Sequence, residues 1–143
     1  MTYTPNANWY GTDTFTYKVT ENGTNDSNTA TVTITVAAVN DTPTVTAGTI
    51  STNEDTAATL DLSTLATDVD GDTLTYEIPT GPSNGTASIS GTTVTYTPTD
   101  NWNGTDTFTY KANDGTDDSN TSTVTVTVNA GSFGITYGSD SNH

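Results

Sequence analysis

The chain repeats itself. Residues Tyr3–Val36 read YTPNANWYGTDTFTYKVTENGTNDSNTATVTITV, and Tyr96–Val128 read YTPTDNWNGTDTFTYKANDGTDDSNTSTVTVTV. The separation is 93 residues at Tyr3/Tyr96 and 92 at Val36/Val128, because one extra residue sits near Asn22. Self-similarity at a fixed period means that one structural unit recurs, so the fold must be buildable from a module of this size. Residues 39–130 make one complete repeat, whereas 1–38 make only the C-terminal part of a preceding one. Residues 131–143 match nothing in the repeat. The join, Ala37-Ala38-Val39-Asn40-Asp41-Thr42-Pro43, reads as a short interdomain linker.

Within the repeat the hydrophobic period is two. Val124, Val126 and Val128 alternate with Thr123, Thr125 and Thr127. Val32, Ile34 and Val36 do the same; so do Phe108, Tyr110 and Ala112, and Leu74, Tyr76 and Ile78. This is the pattern of half-buried strands, and Thr favours them. Turn signals separate the runs: Gly81-Pro82, Asn84-Gly85, Asn103-Gly104 and Asp114-Gly115. No convincing amphipathic helix is present. The expected class is all-β, an antiparallel β-sandwich. The hydrophobic content of 30% would by itself suggest disorder. Thr on the outer faces explains it instead.

Charge narrows the function. Seventeen acids stand against two bases, Lys18 and Lys111, for a net charge of -15. Such a surface repels phosphate backbones and anionic lipid, so nucleic-acid and membrane-surface binding are not expected. Cysteine is absent, which removes disulfides and thiol chemistry. No run approaches the ~20 apolar residues of a membrane span, and Thr2–Asn8 is polar and does not read as a signal peptide. Catalysis has no foothold: the only histidine is His143, so no Ser–His or Cys–His pair can be drawn. No enzymatic activity is expected.

Six ordered motifs carry a family resemblance. They are Val39-Asn40-Asp41-Thr42-Pro43, Asn53-Glu54-Asp55-Thr56, Asp68-Val69-Asp70-Gly71-Asp72-Thr73-Leu74, Tyr96-Thr97-Pro98, the run Asn103–Tyr110, and Asn113-Asp114-Gly115. Over residues 1 to about 130 the chain resembles the tandem-95 or VCBS-type cadherin-like repeats of long bacterial surface adhesins and matrix proteins. The resemblance implies an Ig-like, cadherin-like sandwich in an extracellular tandem array, often with calcium between modules, and no enzyme. The partial repeat then corresponds to about strands E to G of a sandwich lettered A to G.

The acids suit that cation. Asp68, Asp70 and Asp72 fall in the B–C loop, and Asp114, Asp117 and Asp118 in the F–G loop. Asn40 and Asp41 enter strand A at the same end. Like charges 4 Å apart repel by about 4 kcal/mol at an effective dielectric of 20. Ca²⁺ relieves this, because it takes 6–8 oxygens and needs neither His nor Cys. Zinc and copper are poor candidates for the same reason. The loop is not an EF-hand, since Thr73 and Pro79 stand where Gly and Glu would be required. Asp-rich turns that merely cap and solubilise are the alternative. At the opposite pole Glu54 and Asp55 face Asp100 and Asp106, placed in the E–F loop, as a second acidic group. In the partial repeat Asn6, Asn8 and Asp13 sit at the pole facing the linker and would complete an interdomain site.

Other repeated residues have plainer readings. Trp9 and Trp102 read as plugs closing the sandwich end rather than as sugar-stacking platforms. Lys18 and Lys111 read as exposed partners of nearby acids rather than as isopeptide-forming lysines. Asn22, Asn25, Asn84, Asn103 and Asn120 begin N-x-S/T sequons, which arise readily by chance in so Asn- and Thr-rich a chain. In the tail, Phe133, Ile135 and Tyr137 alternate with small residues as a donated strand would. Two accounts of the partial repeat stand level: a head-to-tail self-polymer built by strand donation, or a truncation. Three functions follow. The first is a calcium-stiffened structural and adhesive module of an extracellular fibre or biofilm matrix, whose partners are itself or neighbouring repeats. The others are a module that binds a surface glycan or a protein, and a virion decoration domain.

Overall fold

The heptapeptide GTDTFTY occurs twice, at Gly11–Tyr17 and Gly104–Tyr110. Both copies form strand, and both pair antiparallel with a later Val/Thr strand in matching register. The computed structural model describes residues 1–132. The chain divides into two compact units, Met1–Asp41 and Thr42–His143. The proposed donor residues Phe133, Ile135 and Tyr137 lie outside the described residues.

The first unit holds β1 (Gly11–Tyr17), β2 (Thr20–Glu21), β3 (Asn25–Asp26) and β4 (Ala30–Val36). Strands β1 and β4 form one two-stranded sheet, with Gly11 opposite Val36 and Phe15 opposite Val32. Strands β2 and β3 form another.

The second unit holds β5 (Thr44–Val45), β6 (Gly48–Asn53), β7 (Ala58–Asp61), a 3-10 turn (Leu62–Leu65), β8 (Ala66–Thr67), β9 (Thr75–Thr80), β10 (Gly85–Ser90), β11 (Thr93–Pro98), β12 (Gly104–Asn113) and β13 (Ser122–Asn129). One sheet runs β6-β13-β12-β9 and the other β10-β11-β7. All pairings are antiparallel except β13 with β6, which is parallel. This is an Ig-like β-sandwich, as the alternation predicts. The inward set is the predicted one: Phe108, Tyr110, Ala112, Val124, Val126 and Val128 are buried, joined by Leu62, Val94 and Tyr96. The Thr residues between them face out, which is how a chain so poor in apolar residues builds a core.

The same heptapeptide differs in burial. Phe108 and Tyr110 are 0% exposed, whereas Phe15 is half-buried and Tyr17 is 51% exposed. Local sequence fixes the hairpin, and the second sheet does the burying.

Close packing shows at Gly85. A Cβ there would lie 2.5 Å from the Thr97 carbonyl oxygen and 2.7 Å from Tyr96 Cζ. Backbone cannot swing aside as a side-chain tip can, so Gly85→Ala should destabilise the second unit by about 1–3 kcal/mol. Urea unfolding with an unchanged slope and a lowered midpoint is the expected result.

Candidate metal centre

Three elements meet at one end of the second unit. Thr75 pairs with Asn113, so the β8–β9 and β12–β13 loops leave the sheet side by side. Thr44 pairs with Thr67 of β8, which brings the start of β5 to the same end. The Asn120 side chain completes this corner by bonding both backbone groups of Val45, Oδ1 accepting from its N–H at 3.0 Å and Nδ2 donating to its carbonyl at 2.9 Å.

Asp68, Asp70 and Asp72 occupy the β8–β9 loop. Each offers a carboxylate oxygen, and these atoms lie within 4.8 Å of one another. Two oxygens bound to one Ca²⁺ at 2.3–2.6 Å are at most about 5 Å apart, so the spacing suits a shared cation. The loop is held by its own backbone: Asp68 Oδ1 accepts from the Asp72 N–H at 3.1 Å, and Gly71 takes φ +76° to turn the chain. Asp68 Oδ2 is buried and has no hydrogen-bond partner. A buried carboxylate oxygen without a donor carries a desolvation cost that a bound cation removes. A hollow of about 290 Å³, lined by Asp68, Gly71, Asp72, Thr73 and Tyr76 among others, opens beside it.

The F–G loop acids make contacts of their own. Asp114 is turned into its own loop, where Oδ1 accepts from the N–H groups of Thr116 and Asp117 at 2.7 Å each. Asp118 bonds Lys111 Nζ at 2.6 Å and Asn113 Nδ2 at 2.7 Å. Among the described residues, Asp68, Asp70 and Asp72 form the group at ligand spacing, without Asp114 or Asp117. Asn40 and Asp41 belong to the first unit. At the opposite end the loops do meet, but through Asn rather than Asp. Asp55 Oδ1 accepts from the Asn101 N–H at 2.8 Å, and Glu54 Oε2 from Asn103 Nδ2 at 3.3 Å. Glu54 Oε1 accepts from the Gly131 N–H at 2.7 Å. Glu54 thus ties down the strand exit, and Asp100 lies in the loop between β11 and β12.

Asp106 needs correcting outright. It lies inside β12, not in a loop, and is 4% exposed. Its carboxylate accepts from four donors: the N–H groups of Ser83 (3.1 Å), Asn84 (2.8 Å) and Thr107 (2.9 Å), and the Tyr96 hydroxyl (2.9 Å). No acceptor capacity remains for a metal. Burial pushes its pKa up, but the Asn84 and Ser83 N–H groups, with Tyr96 and Thr107, outweigh burial and hold it below the ordinary value. Burial, and then Asp106, push the Tyr96 hydroxyl well up. Asp13 is the equivalent residue in β1, also no loop acid. It accepts from the Tyr3 hydroxyl at 2.8 Å and from the Thr14 N–H at 2.8 Å.

The lysines are ion-paired. Lys18 pairs with Asp26, and Lys111 bonds Asp118 and Glu77 Oε1 (2.7 Å), which raise the pKa of Lys111 to about 12. Lys111 held protonated is no nucleophile, so an isopeptide bond there is not supported. Trp102 packs on the core and lies over Gly104, where a Cβ would sit 3.1 Å from its Cζ2. That is the plug predicted at Trp102, whereas Trp9, predicted as its equal, is 38% exposed.

Residues 1–35 and 40–127 match the bacterial Ig domain family. The chain belongs to that family. Ig-domain structure is also what it shares with solved proteins. The endo-fucoidan hydrolase MfFcnA4 from glycoside hydrolase family 107 is 25% identical at a TM-score of 0.50, and a variant of that enzyme is 26% identical at 0.50. In each case the match covers 89% of this Ig chain and 20% of the enzyme chain. The chain therefore spans about a fifth of the length of those enzymes. No curated protein matches it.

Two features of this Ig repeat escaped the sequence reading. Asn120 was visible only as a sequon, and Asp106 was read as a loop acid of the second acidic group rather than as the buried partner of Tyr96. The recurrence of Tyr and Asp ten residues apart, at 3/13 and 96/106, is the signal that could have found the buried pair.

Proposed function

We propose that the chain is a non-enzymatic structural and adhesive module of the tandem-95 or VCBS cadherin-like type, from an extracellular bacterial fibre or surface adhesin, stiffened by calcium. The observation that carries the calcium reading is the buried, unpartnered Asp68 Oδ2 beside Asp70 and Asp72. Those three residues would hold the cation through oxygen alone. Once bound, Ca²⁺ would neutralise the loop's charge and tie Asp68 and Asp72 at its two ends to one centre. The family assignment and the repeat support a place in a tandem array, and the net charge of -15 suits an aqueous exterior rather than a nucleic-acid partner.

Calcium is expected to raise the melting temperature. Binding to the native state adds RT ln(1 + [L]/Kd), about 2.7 kcal/mol at a hundredfold excess over Kd. For a domain this size that is on the order of ten degrees. Melting in EDTA and in millimolar calcium tests it, and Asp70→Ala should remove most of the shift. An equal midpoint in both buffers would refute calcium binding.

A second reading has one observation behind it, the likeness to MfFcnA4. There the chain would be an Ig module carried by a larger polysaccharide hydrolase. Pull-down on insoluble polysaccharide separates the readings, since a spacer would stay in the supernatant.

A further inference from the structure

Three Asn-Gly pairs occur in the chain, at Asn22-Gly23, Asn84-Gly85 and Asn103-Gly104. The pair carries a chemistry of its own. Glycine has no Cβ to shield its backbone nitrogen, so that nitrogen can reach the side-chain Cγ of the preceding asparagine. The backbone must flex until the two atoms meet. The fold grants that freedom to one pair and withholds it from the other two.

Asn84 and Asn103 are held. The Asn84 N–H donates to Asp106 at 2.8 Å, and its carbonyl accepts from the Thr99 N–H at 2.9 Å and the Tyr96 hydroxyl at 3.3 Å. Gly85 opens β10 opposite Pro98 and is packed on Tyr96. Asn103 Nδ2 donates to Glu54, and Gly104 begins β12 opposite Val128, beneath Trp102. Moving either asparagine against its glycine means opening the sandwich.

Asn22 and Gly23 take φ +45° and +75°, the left-handed pair of a two-residue hairpin turn. Both are exposed, as is every residue of β2 and β3. The ladder holds Thr20 opposite Asp26 and Glu21 opposite Asn25, and no more. The Thr24 N–H closes the turn on the Glu21 carbonyl at 3.0 Å, and the Thr24 hydroxyl donates to the Asn22 carbonyl at 3.3 Å. Neither bond engages the Gly23 nitrogen or the Asn22 side chain. A Cβ on Gly23 would meet nothing within 4 Å, so the approach to its nitrogen is open. The exposure belongs to the loop and not to the partial repeat. The equivalent tip of the complete repeat, Gly115–Asp117, is exposed with both sheets of the sandwich in place. There Asp114 stands at the Asn22 position, and the glycine nitrogen is engaged, the Gly115 N–H donating to Asn113 Oδ1 at 2.7 Å. Glu21 replaces that asparagine in the first copy.

We propose that Asn22 is a self-modification site, converted through a cyclic succinimide to aspartate and isoaspartate in the folded protein, while Asn84 and Asn103 persist. The Gly23 nitrogen gives up its proton and bonds Asn22 Cγ. The Cγ–Nδ2 bond breaks, and Nδ2 leaves as ammonia with that proton. Water then opens the ring, at Cγ to give aspartate or at the main-chain carbonyl carbon to give isoaspartate. Water is the only co-reactant, and nothing is oxidised or reduced. Each event adds a negative charge where the other copy already carries Asp114, and isoaspartate also lengthens the turn's backbone by a methylene. The inference rests on the hairpin and not on the calcium reading.

The test is ageing of the full chain at mildly alkaline pH in heavy-oxygen water, in native buffer and in concentrated urea. Peptic peptides are read by electron-transfer fragmentation, which tells aspartate from isoaspartate. In native buffer, conversion at Asn22 should run about tenfold or more faster than at Asn84 or Asn103, with both products carrying heavy oxygen. In urea the three rates should draw together, because only the fold separates them. Equal rates at the three sites in native buffer would overturn the proposal. So would an Asn22 that stays intact while Asn84 or Asn103 converts, or aspartate alone at position 22, which would mean direct hydrolysis without the ring.

Discussion

Asp106→Ala is expected to lower the unfolding free energy of the second unit by about 3–5 kcal/mol, while Asp13→Ala costs under about 1 kcal/mol. The two acids stand in identical heptapeptides, so intrinsic propensity cancels. Burial separates them. Removing the Asp106 carboxylate leaves the Ser83 and Asn84 N–H groups without their acceptor and the buried Tyr96 hydroxyl with only the Asn84 carbonyl oxygen, at 3.3 Å. Each unsatisfied donor at a buried site costs about 1–3 kcal/mol, and water reaches the Tyr96 end least. At Asp13 water replaces the carboxylate. Urea unfolding of both variants checks the contrast; equal losses would mean that the Tyr–Asp pair is not the clamp described.

The same pair sets the pH range. Asp106 titrates below its ordinary value when folded. Its contribution is therefore present above the unfolded carboxylate pKa of about 3.9 and is lost as the pH falls through the folded value. Tyr96 titrates above its ordinary value. Its contribution is complete below about pH 10 and is lost as the pH rises through the folded value. Asp106→Ala should accordingly flatten the acid limb of a stability–pH profile.

How far the sequence could be read follows from which interactions are local. The alternation in Val124–Val128 and Phe108–Ala112 identified the strands because side-chain direction follows from strand geometry alone. The β12–β13 turn was equally legible, being closed by neighbours: Ser119 Oγ accepts from Ala112 N–H at 2.8 Å, as Ser27 Oγ does from Val19 N–H at 2.9 Å. The Asp68–Asp72 group was legible for the same reason, since one loop carries all three acids. Asp114 misled because sharing a pole is weaker than sharing a site; its loop offered two N–H groups at closer range. Asp106 misled because its partners come from Ser83, Asn84 and Tyr96, and nothing in the residues around it announces them. The parallel pairing of β6 with β13 was illegible on the same ground, as register between distant strands is set by the assembled sheet.

Phe108→Ala should cost the second unit about 3–5 kcal/mol, the range for deleting a fully buried Phe. Phe108 is 0% exposed, lies opposite Val124 and packs in the cluster that joins the two sheets. Truncation removes its apolar contacts and leaves a cavity that two hydrogen-bonded sheets cannot close by moving together. Phe15 lies opposite Val32 in the same register but is only half-buried. Phe15→Ala should therefore cost less, since part of the ring already faces solvent. Amide hydrogen exchange resolves the two, because protection in β12 and β13 reports the second unit and protection in β1 and β4 the first. Protection should collapse in β12 and β13 for Phe108→Ala and fall little in β1 and β4 for Phe15→Ala. Equal losses at both sites would mean that the hairpin carries its own stability and that the second sheet adds little, against the burial difference between the two copies.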